Sequence, residues 1–589
     1  MNERVIPRDS TYDTVTFKLL SEGTDIANTY QVLSFVINRE VNRIPTARLT
    51  LRDGSAAAES FDASSGDDLI PGKEIEIALG HDSQDQRAFQ GIIVKQSVKV
   101  GRDGNPVLMV ECKDKAVKLT VGRHNRYFLE SSDSDAIEQV LGDRGLSSTV
   151  ESTALTHPNI VQHYATDWDF ILSRAEMNGY IALANSGGLK VKPPTTSGSS
   201  EITLTFGANL LEFEAEMDAR LQYKAVKASA WSYANQALVE AEGAEPAVST
   251  VGNLSSQDLA GVIDLPTWEL RHSGELDQQE LQAWADAQLL KSRLGKIQGR
   301  VKVTGYAEAK PDVLVELRGM GDRFNGQVYV SGIRHEMTNG SWFTHLQLGL
   351  PPRWFYKKED IVEKPASGLL PGVSGLQIGI VVQIHDDPNG EDRIRIKIPT
   401  LDNDSEGIWA RVAALDAGNN RGTFFRPEVD DEVILGFLND DPRDPVVLGL
   451  LHSSQKPAPI TPTQDNFQKG IYTRSEMKLL FDDEQPSMTL ETPGGNKIVI
   501  SDEDKGIKLS DQNGNTVTLD DSGISLTSPK DIILDATGSL TLKAAQEVTI
   551  EGLNVNATAN AQFKAEGSAG AELSTSGVAV LKGSLVQIN

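Results

Sequence analysis

The sequence predicts a mainly β protein: two β-barrels with helical inserts, a small five-stranded barrel, and a C-terminal trimeric β-helix or β-prism. Three observations carry this. Period-two strand patterns fill residues 14–119 and return between 202 and 350; five short alternating strands occupy 378–452; and from Lys497 onward apolar residues recur in i, i+2 pairs.

The first strand block contains VTFKLL, QVLSFVINR, ARLTLRDG, EIEIALG, GIIVKQSVKV and VLMVECKD, punctuated by turn signals at Asp53-Gly54 and Asp103-Gly104. It is assigned to a first barrel, residues 1–120, followed by a helical insert region at 121–200. Within the insert, SSDSDAIEQVLGDRGL offers Ser132 or Asp133 as N-cap, apolar Ile137, Val140 and Leu141, and Gly145 as a stop. In TDWDFILSRAEMNG, Thr166 with Asp169 three residues on predicts a capping box, and Phe170, Ile171, Arg174 and Ala175 keep the helical period up to Gly179. A second barrel is assigned to 201–363, with a helix at Gln278–Leu294, and KPASGLLPGVSG gives a linker at 364–377.

Residues 378–455 read as an OB-fold barrel, from the five strands in IGIVVQIHDD, DRIRIKIPTL, GIWARVA, DEVILGFL and DPVVLGLL. After a connector at 456–496, the paired apolar residues begin: Ile498/Ile500, Ile507/Leu509, Val517/Leu519, Ile524/Leu526, Ile532/Leu534, Leu540/Leu542 and Val548/Ile550. The last four pairs start at 524, 532, 540 and 548, a strict step of eight. Such a fixed short period is a solenoid signature. A single chain exposes its apolar face at every repeat, and so few buried side chains do not offset the ordering entropy. Three chains wound on a common axis bury all of them, so the segment 497–589 is predicted to be a triple-stranded needle.

Bulk composition narrows the function classes. The chain has 589 residues, 83 acidic against 56 basic, and a net charge of -27, which repels phosphate backbones and argues against nucleic-acid binding. It has no apolar run of about 18 residues, the length a membrane helix needs. The polar start MNERVIPRDSTYD is not a secretory signal, and a single cysteine, Cys112, forms no intrachain disulfide, so synthesis in the cytoplasm is expected.

The order of two barrels, OB barrel and β-prism resembles the valine-glycine repeat (VgrG) spike proteins of type VI secretion and their relatives in extracellular contractile injection systems. The matching stretches are YATDWDFILSRAEMNGY at 164–180, GMGDRFNGQVYVSGIRHEM at 319–337, FFRPEVDDEVILGFLNDDPRDPVVLGLLH at 424–452 and TLETPGGNKIVISDEDKGIKLSDQNGNTVTLDDSGI at 489–524. The resemblance implies a homotrimer that adapts a hexameric inner tube to a threefold needle, set in a baseplate at the particle tip. It also implies a separate cap of the PAAR-repeat type, effectors as cargo, and transient contact with the target membrane. No counterpart of a phage lysozyme insert lies between barrel and needle, so no enzymatic role is expected. With no charge after Lys582, Leu585, Val586 and Ile588 are expected to form a blunt apolar platform that docks the cap.

Other motifs have plainer readings. His157, His163, Asp167 and Asp169 lack metal-ligand spacing on one face, and helix capping accounts for the acids. Asp402, Asp404, Glu406 and Gly407 resemble the start of a calcium loop, but Ala413 stands where its closing glutamate belongs. Cys112 reads as a buried strand residue, and GVSG at 372–375 lacks the spacing and lead-in strand of a nucleophile elbow. Acidic pairs at Asp430-Asp431 and Asp440-Asp441 fall in turns; Gly326, Gly436 and Gly449 read as fold residues. No cofactor and no metal site is expected. The rival classes are a β-helical tailspike enzyme on cell-surface polysaccharide, which needs paired carboxylates and aromatic platforms, and a plain adhesin.

Overall fold

Strand Thr46–Arg52 shows how the first core forms: Ala47, Leu49 and Leu51 point inward while Arg48 and Arg52 face solvent. The structure is a computed structural model that describes residues 14–102, 105–249, 251–358 and 360–588. The polar segment 1–13 and the Asp103-Gly104 turn signal lie outside the described residues. The chain divides into two compact units, one running to Val429 with Leu435–Leu448, the other holding Asp430–Ile434 and everything from Gly449.

In the first unit, both predicted barrels contribute to one 13-stranded sheet. Strand Gly326–Thr338 is the seam: it pairs antiparallel with Val32–Glu40 on one side and with Ser341–Leu348 on the other. Two apolar cores lie on this sheet. The first gathers Phe35, Ile37, Leu49, Ile77, Leu108 and Cys112, and the second Val301, Val315, Leu317, Val330, Ile333 and Leu346. Asp53 does more than mark a turn. Its buried carboxylate accepts from the backbone N–H of Ala63 and Ser64, each at 3.0 Å, and so organises the short helix Asp62–Ser65.

Trp342 fastens the two halves together. Its neighbours in sequence, Ile333 and Leu346, belong to the second core, yet it packs in the first, stacked on His81 with ring centroids 5.1 Å apart. Its indole lies where Gly305 would carry a Cβ, which would come within 2.1 Å of the ring. On the neighbouring strand His335 is fully buried, with Nδ1 3.0 Å from the Thr344 hydroxyl.

The insert folds around its own core, including Phe128, Ile137, Leu141, Phe170 and Ile171. Helix Asp133–Asp143 is capped by Ser132 in a complete box with Asp135, and Gly145 beyond it has φ +64. Helix Asp167–Met177 has half of the expected box. Thr166 accepts from the Asp169 N–H at 3.0 Å, but the Asp169 carboxylate takes the Thr166 hydroxyl at 2.6 Å instead of reaching back to the N-cap backbone. Helix Gln278–Leu294 has the predicted bounds, capped by Asp277; helix Ser256–Ile263 is additional to the sequence-based assignment. Strands Gln377–Gln383, Ile394–Lys397, Ile408–Val412, Glu432–Phe437 and Pro445–Leu450 form a closed five-stranded barrel.

The second unit contains a seven-stranded antiparallel meander in which each strand pairs with the next, from Gln468–Tyr472 to Gly523–Thr527. Its first three strands fall inside the stretch 456–496 that composition assigns to a connector. Beyond Thr527 the described residues form no strand.

Burial, with the charges of Arg39 and His345 adding to it, pushes His335 down to about 3. The unfolded chain takes up that proton near pH 6.5. The stability His335 contributes is therefore complete above about pH 6.5 and falls by at most about 1.4 kcal/mol per pH unit towards 3. Urea titrations between pH 7 and 4 should record this fall, and His335→Gln should flatten it; equal slopes in both proteins would clear the ring of responsibility.

Candidate functional site

In the meander the i, i+2 pairs stack in register. One column runs Ile471, Leu479, Leu490, Ile498, Leu509, Val517, Leu526, and the second runs Phe481, Met488, Ile500, Ile507, Leu519, Ile524. The opposite face carries Thr489, Val499, Lys508, Thr518 and Ser525, so the sheet is apolar on one side and largely polar on the other. Nothing in the chain covers the apolar side: Ile498, Ile500, Ile507 and Leu509 are 37–44% exposed. Turns hold the register. Asp511 accepts from the backbone N–H of Asn513 and Asn515, both at 2.9 Å, and side-chain hydrogen bonds from Asn515 above all lower its pKa to about 2.

The octad segment behaves differently. Ile532, Leu534, Leu540, Leu542, Val548 and Ile550 are all exposed, as are Leu585, Val586 and Ile588. Among the described residues, 528–588 make no backbone-to-backbone hydrogen bond within the chain. The structure thus brings together the predicted residues from Ile498 to Leu526 on one face, and leaves those from Ile532 to Ile588 exposed and outside any strand. The residues from Ile471 to Leu490 extend the same columns; their i, i+2 pairs, Leu479/Phe481 and Met488/Leu490, are the signal that identifies them.

The residues weighed as ligands or nucleophiles disperse. Asp167 is buried and accepts from Arg144 Nε at 2.6 Å and Gln162 Nε2 at 3.0 Å, while His163 is exposed. His157 lies with Nε2 3.4 Å from Asp133 and Nδ1 3.9 Å from Glu280. His157, Asp169, Arg174 and Glu280 line a cleft in which Asp169 accepts from Thr166 and Glu280 pairs with Arg174 at 3.4 Å. Among the described residues no group of three or more His, Cys, Asp or Glu side chains is arranged to hold a metal. Asp402 accepts from the Asp404 N–H at 2.9 Å, Glu406 pairs with Arg395, and Gly407 turns at φ +81. Cys112 is fully buried, and burial raises its thiol pKa far out of the reactive range. In GVSG, Val373 donates its N–H to the Asp440 carbonyl at 2.8 Å, which ties the linker to a turn.

Sequence reasoning missed one ionic cluster. Arg174 clamps buried Asp133 through Nε at 2.5 Å and Nη2 at 3.0 Å, with Asn178 donating a third bond at 2.8 Å. Burial opposes the charge on Asp133, but the hydrogen bonds and charge of Arg174 outweigh it and hold the carboxyl below its ordinary range. This cluster joins the two insert helices.

Family models match most of the chain. One described as the Alg8 N-terminal domain matches residues 11–339, the type VI secretion system/phage-baseplate injector OB domain matches 377–452, and the phage baseplate V C-terminal trimerisation domain matches 487–556. The chain is 23% identical over 441 residues to the type VI secretion system spike protein VgrG1a of Pseudomonas aeruginosa, covering 69% of this chain and 66% of that protein. It is 30% identical over 113 residues to VgrG1b of the same organism, covering 18% of this chain and 15% of the relative. The chain therefore spans less than two thirds of either relative. A tail protein from Neisseria meningitidis is a looser structural match, with TM-score 0.44 and 15% identity over 58% of this chain and 98% of that one.

Removing Arg174 strands a buried carboxylate. Arg174→Met should lower the unfolding free energy by about 3–5 kcal/mol at neutral pH, and Asp133→Asn added to it should restore part of the loss. Denaturant melts of the parent and the two variants check this; an Arg174→Met melt matching the parent would remove the cluster from any structural role.

Proposed function

Because this chain belongs to the VgrG-type spike proteins, with an Alg8 N-terminal domain ahead of the injector OB and trimerisation domains, we propose that three copies form the central hub and needle of a contractile injection system. The observation that supports this best is the uncovered two-column apolar face, continued by a segment that makes no backbone-to-backbone hydrogen bond among the described residues. Buried amides and carbonyls need partners. A neighbouring strand from another copy supplies them, and the threefold axis takes the apolar side chains.

On this reading the needle core comprises the paired residues from Ile498 to Ile550, and the two barrel halves of each chain present six similar units to a hexameric inner tube. The trimer sits in the baseplate at the particle tip, reaches the target membrane on firing, and is not itself an enzyme. Leu585, Val586 and Ile588 form the platform that docks a PAAR-type cap, the carrier of effectors. Two features favour this role over a polysaccharide-cleaving tailspike. Phe563 is the single aromatic in 497–589, and two carboxylates on the cleft beside His157, Asp169 and Glu280, are tied to Thr166 and Arg174.

Light scattering should return three times the 63.9 kDa chain mass for the full-length protein. Ile532→Asp places three like charges around one dry axis, at a cost of several kcal/mol per ion, and should abolish resistance to detergent. A monomer, or a variant as resistant as the parent, would refute the needle assignment.

The terminal platform has a separate test. Deleting residues 581–589 should leave trimer mass intact and eliminate pull-down of a PAAR-type cap; full recovery of the cap would locate docking elsewhere.

A further inference from the structure

The five-stranded barrel carries large apolar side chains on both its inside and its outside. Inside lie Val381, Ile394, Ile396, Ala410 and Val447, all under 2% exposed. Outside, Leu401, Leu415, Phe424, Phe425, Leu438 and Leu448 are 52–96% exposed. Adjacent exposed aromatics such as Phe424 and Phe425 mark a candidate interaction site. Part of it sits on an arm, residues 413–426, none of which is buried. The arm is nevertheless a formed hairpin. Ala417 pairs with Gly422 and Gly418 with Arg421, the Thr423 N–H donates to the Asp416 carbonyl at 2.9 Å, and Arg421 Nη1 donates to the Asp416 carboxylate at 2.7 Å. Gly422 turns at φ +134, where a Cβ would strike the Asp416 carbonyl oxygen at 2.3 Å. The fold therefore holds Phe424 and Phe425 out to solvent, with Arg426 over the Phe424 ring at 5.4 Å and paired to Asp392.

We propose that this arm reaches across to a second copy of the chain and seats Phe424 and Phe425 on the outward face of strand Pro445–Leu450, at Leu448. The inference rests on the trimer. It adds a contact that the needle does not supply, in which each barrel gives an arm to one neighbour and receives an arm from the other. Such a head-to-tail contact closes into a ring only when the rotation matches, and threefold symmetry provides the closure. Charge selects the occupant. Copies of a chain with net charge -27 repel one another. The arm, however, carries its single carboxylate, Asp416, bound to Arg421, and Arg426 pairs with Asp392, so the contact adds no unpaired charge.

The test uses the full chain with Phe425→Cys and Leu448→Cys together and each alone, treated with a short bismaleimide; buried Cys112 stays out of the reaction. Covalent dimers and trimers from the double variant, with neither single variant linking, are expected. A trimeric double variant that gives no ladder, or linking by Phe425→Cys alone, overturns the arm contact while leaving the trimer standing. Monomer mass in light scattering overturns the trimer itself and the arm contact with it. Amide hydrogen exchange on the unaltered chain guards against a misfolded variant. Slow exchange at Leu415–Phe425 in the isolated trimer supports the contact; free-peptide rates, or protection appearing only when tube protein is added, overturn it.

Discussion

An apolar sheet face that its own chain leaves uncovered is the constraint on which this protein depends. Two columns of aliphatic and aromatic side chains run from Ile471 to Leu526 on one side of the meander, and the octad segment that follows has no strand partner within the chain. At roughly 25 cal/mol per Å² of apolar surface, leaving these columns in water forfeits the main force available to order such thin strands. The backbone adds a second demand, because strands without ladder partners leave N–H and C=O groups to be satisfied elsewhere. Both demands are met by identical neighbours, and the family model matching 487–556 is a trimerisation domain.

The transition between the two parts of the repeat has a physical basis in turn chemistry. Up to Thr527 the strands are separated by Asp-, Asn- and Gly-rich turns such as Asp511–Asn515, long enough to reverse the chain, and antiparallel pairing within one chain results. In the octad segment the gaps are DATGS at 535–539 and KAAQE at 543–547, without the Asp-x-Asn turn that Asp511 builds. Among the described residues no strand pairing follows Thr527 within the chain, and on the trimer reading those hydrogen bonds pass to neighbouring chains.

How far this was legible in the sequence follows the range of each signal. Helix Gln278–Leu294 is written locally, with Asp277 at its cap and Gly295 at its end. The seam between Gly326–Thr338 and Val32–Glu40 has no local signature, since each strand is equally compatible with other neighbours. The meander strands at 478–482 and 487–491 carry the same i, i+2 pairs as the needle, but Pro486 and the acidic run Asp482–Glu484 resemble connector composition. Arg174 did carry a signal. It falls on the apolar period of its helix, and a guanidinium on a buried face requires a carboxylate, which Asp133 supplies. The exposed arm on the small barrel is invisible to pattern reasoning, because two adjacent aromatics, Phe424 and Phe425, carry no period that separates exposure from burial.

Charge is distributed in a way that matches the assembly. From Ser528 to Asn589 there are four lysines against six acids, so most of the excess of -27 lies ahead of this segment. Three acidic chains brought to one axis repel over a Debye length of about 8 Å at physiological salt. A nearly neutral winding segment lets the axis form where the chains are closest, while the acidic excess is carried by the preceding residues. The same separation explains why the buried ionic clusters, Asp133 with Arg174 and Asp167 with Arg144, occur in the insert and not in the repeat. There the chain can bring partners from different elements to satisfy a charge. On a threefold axis every side chain meets only copies of itself, so apolar residues are the stable choice.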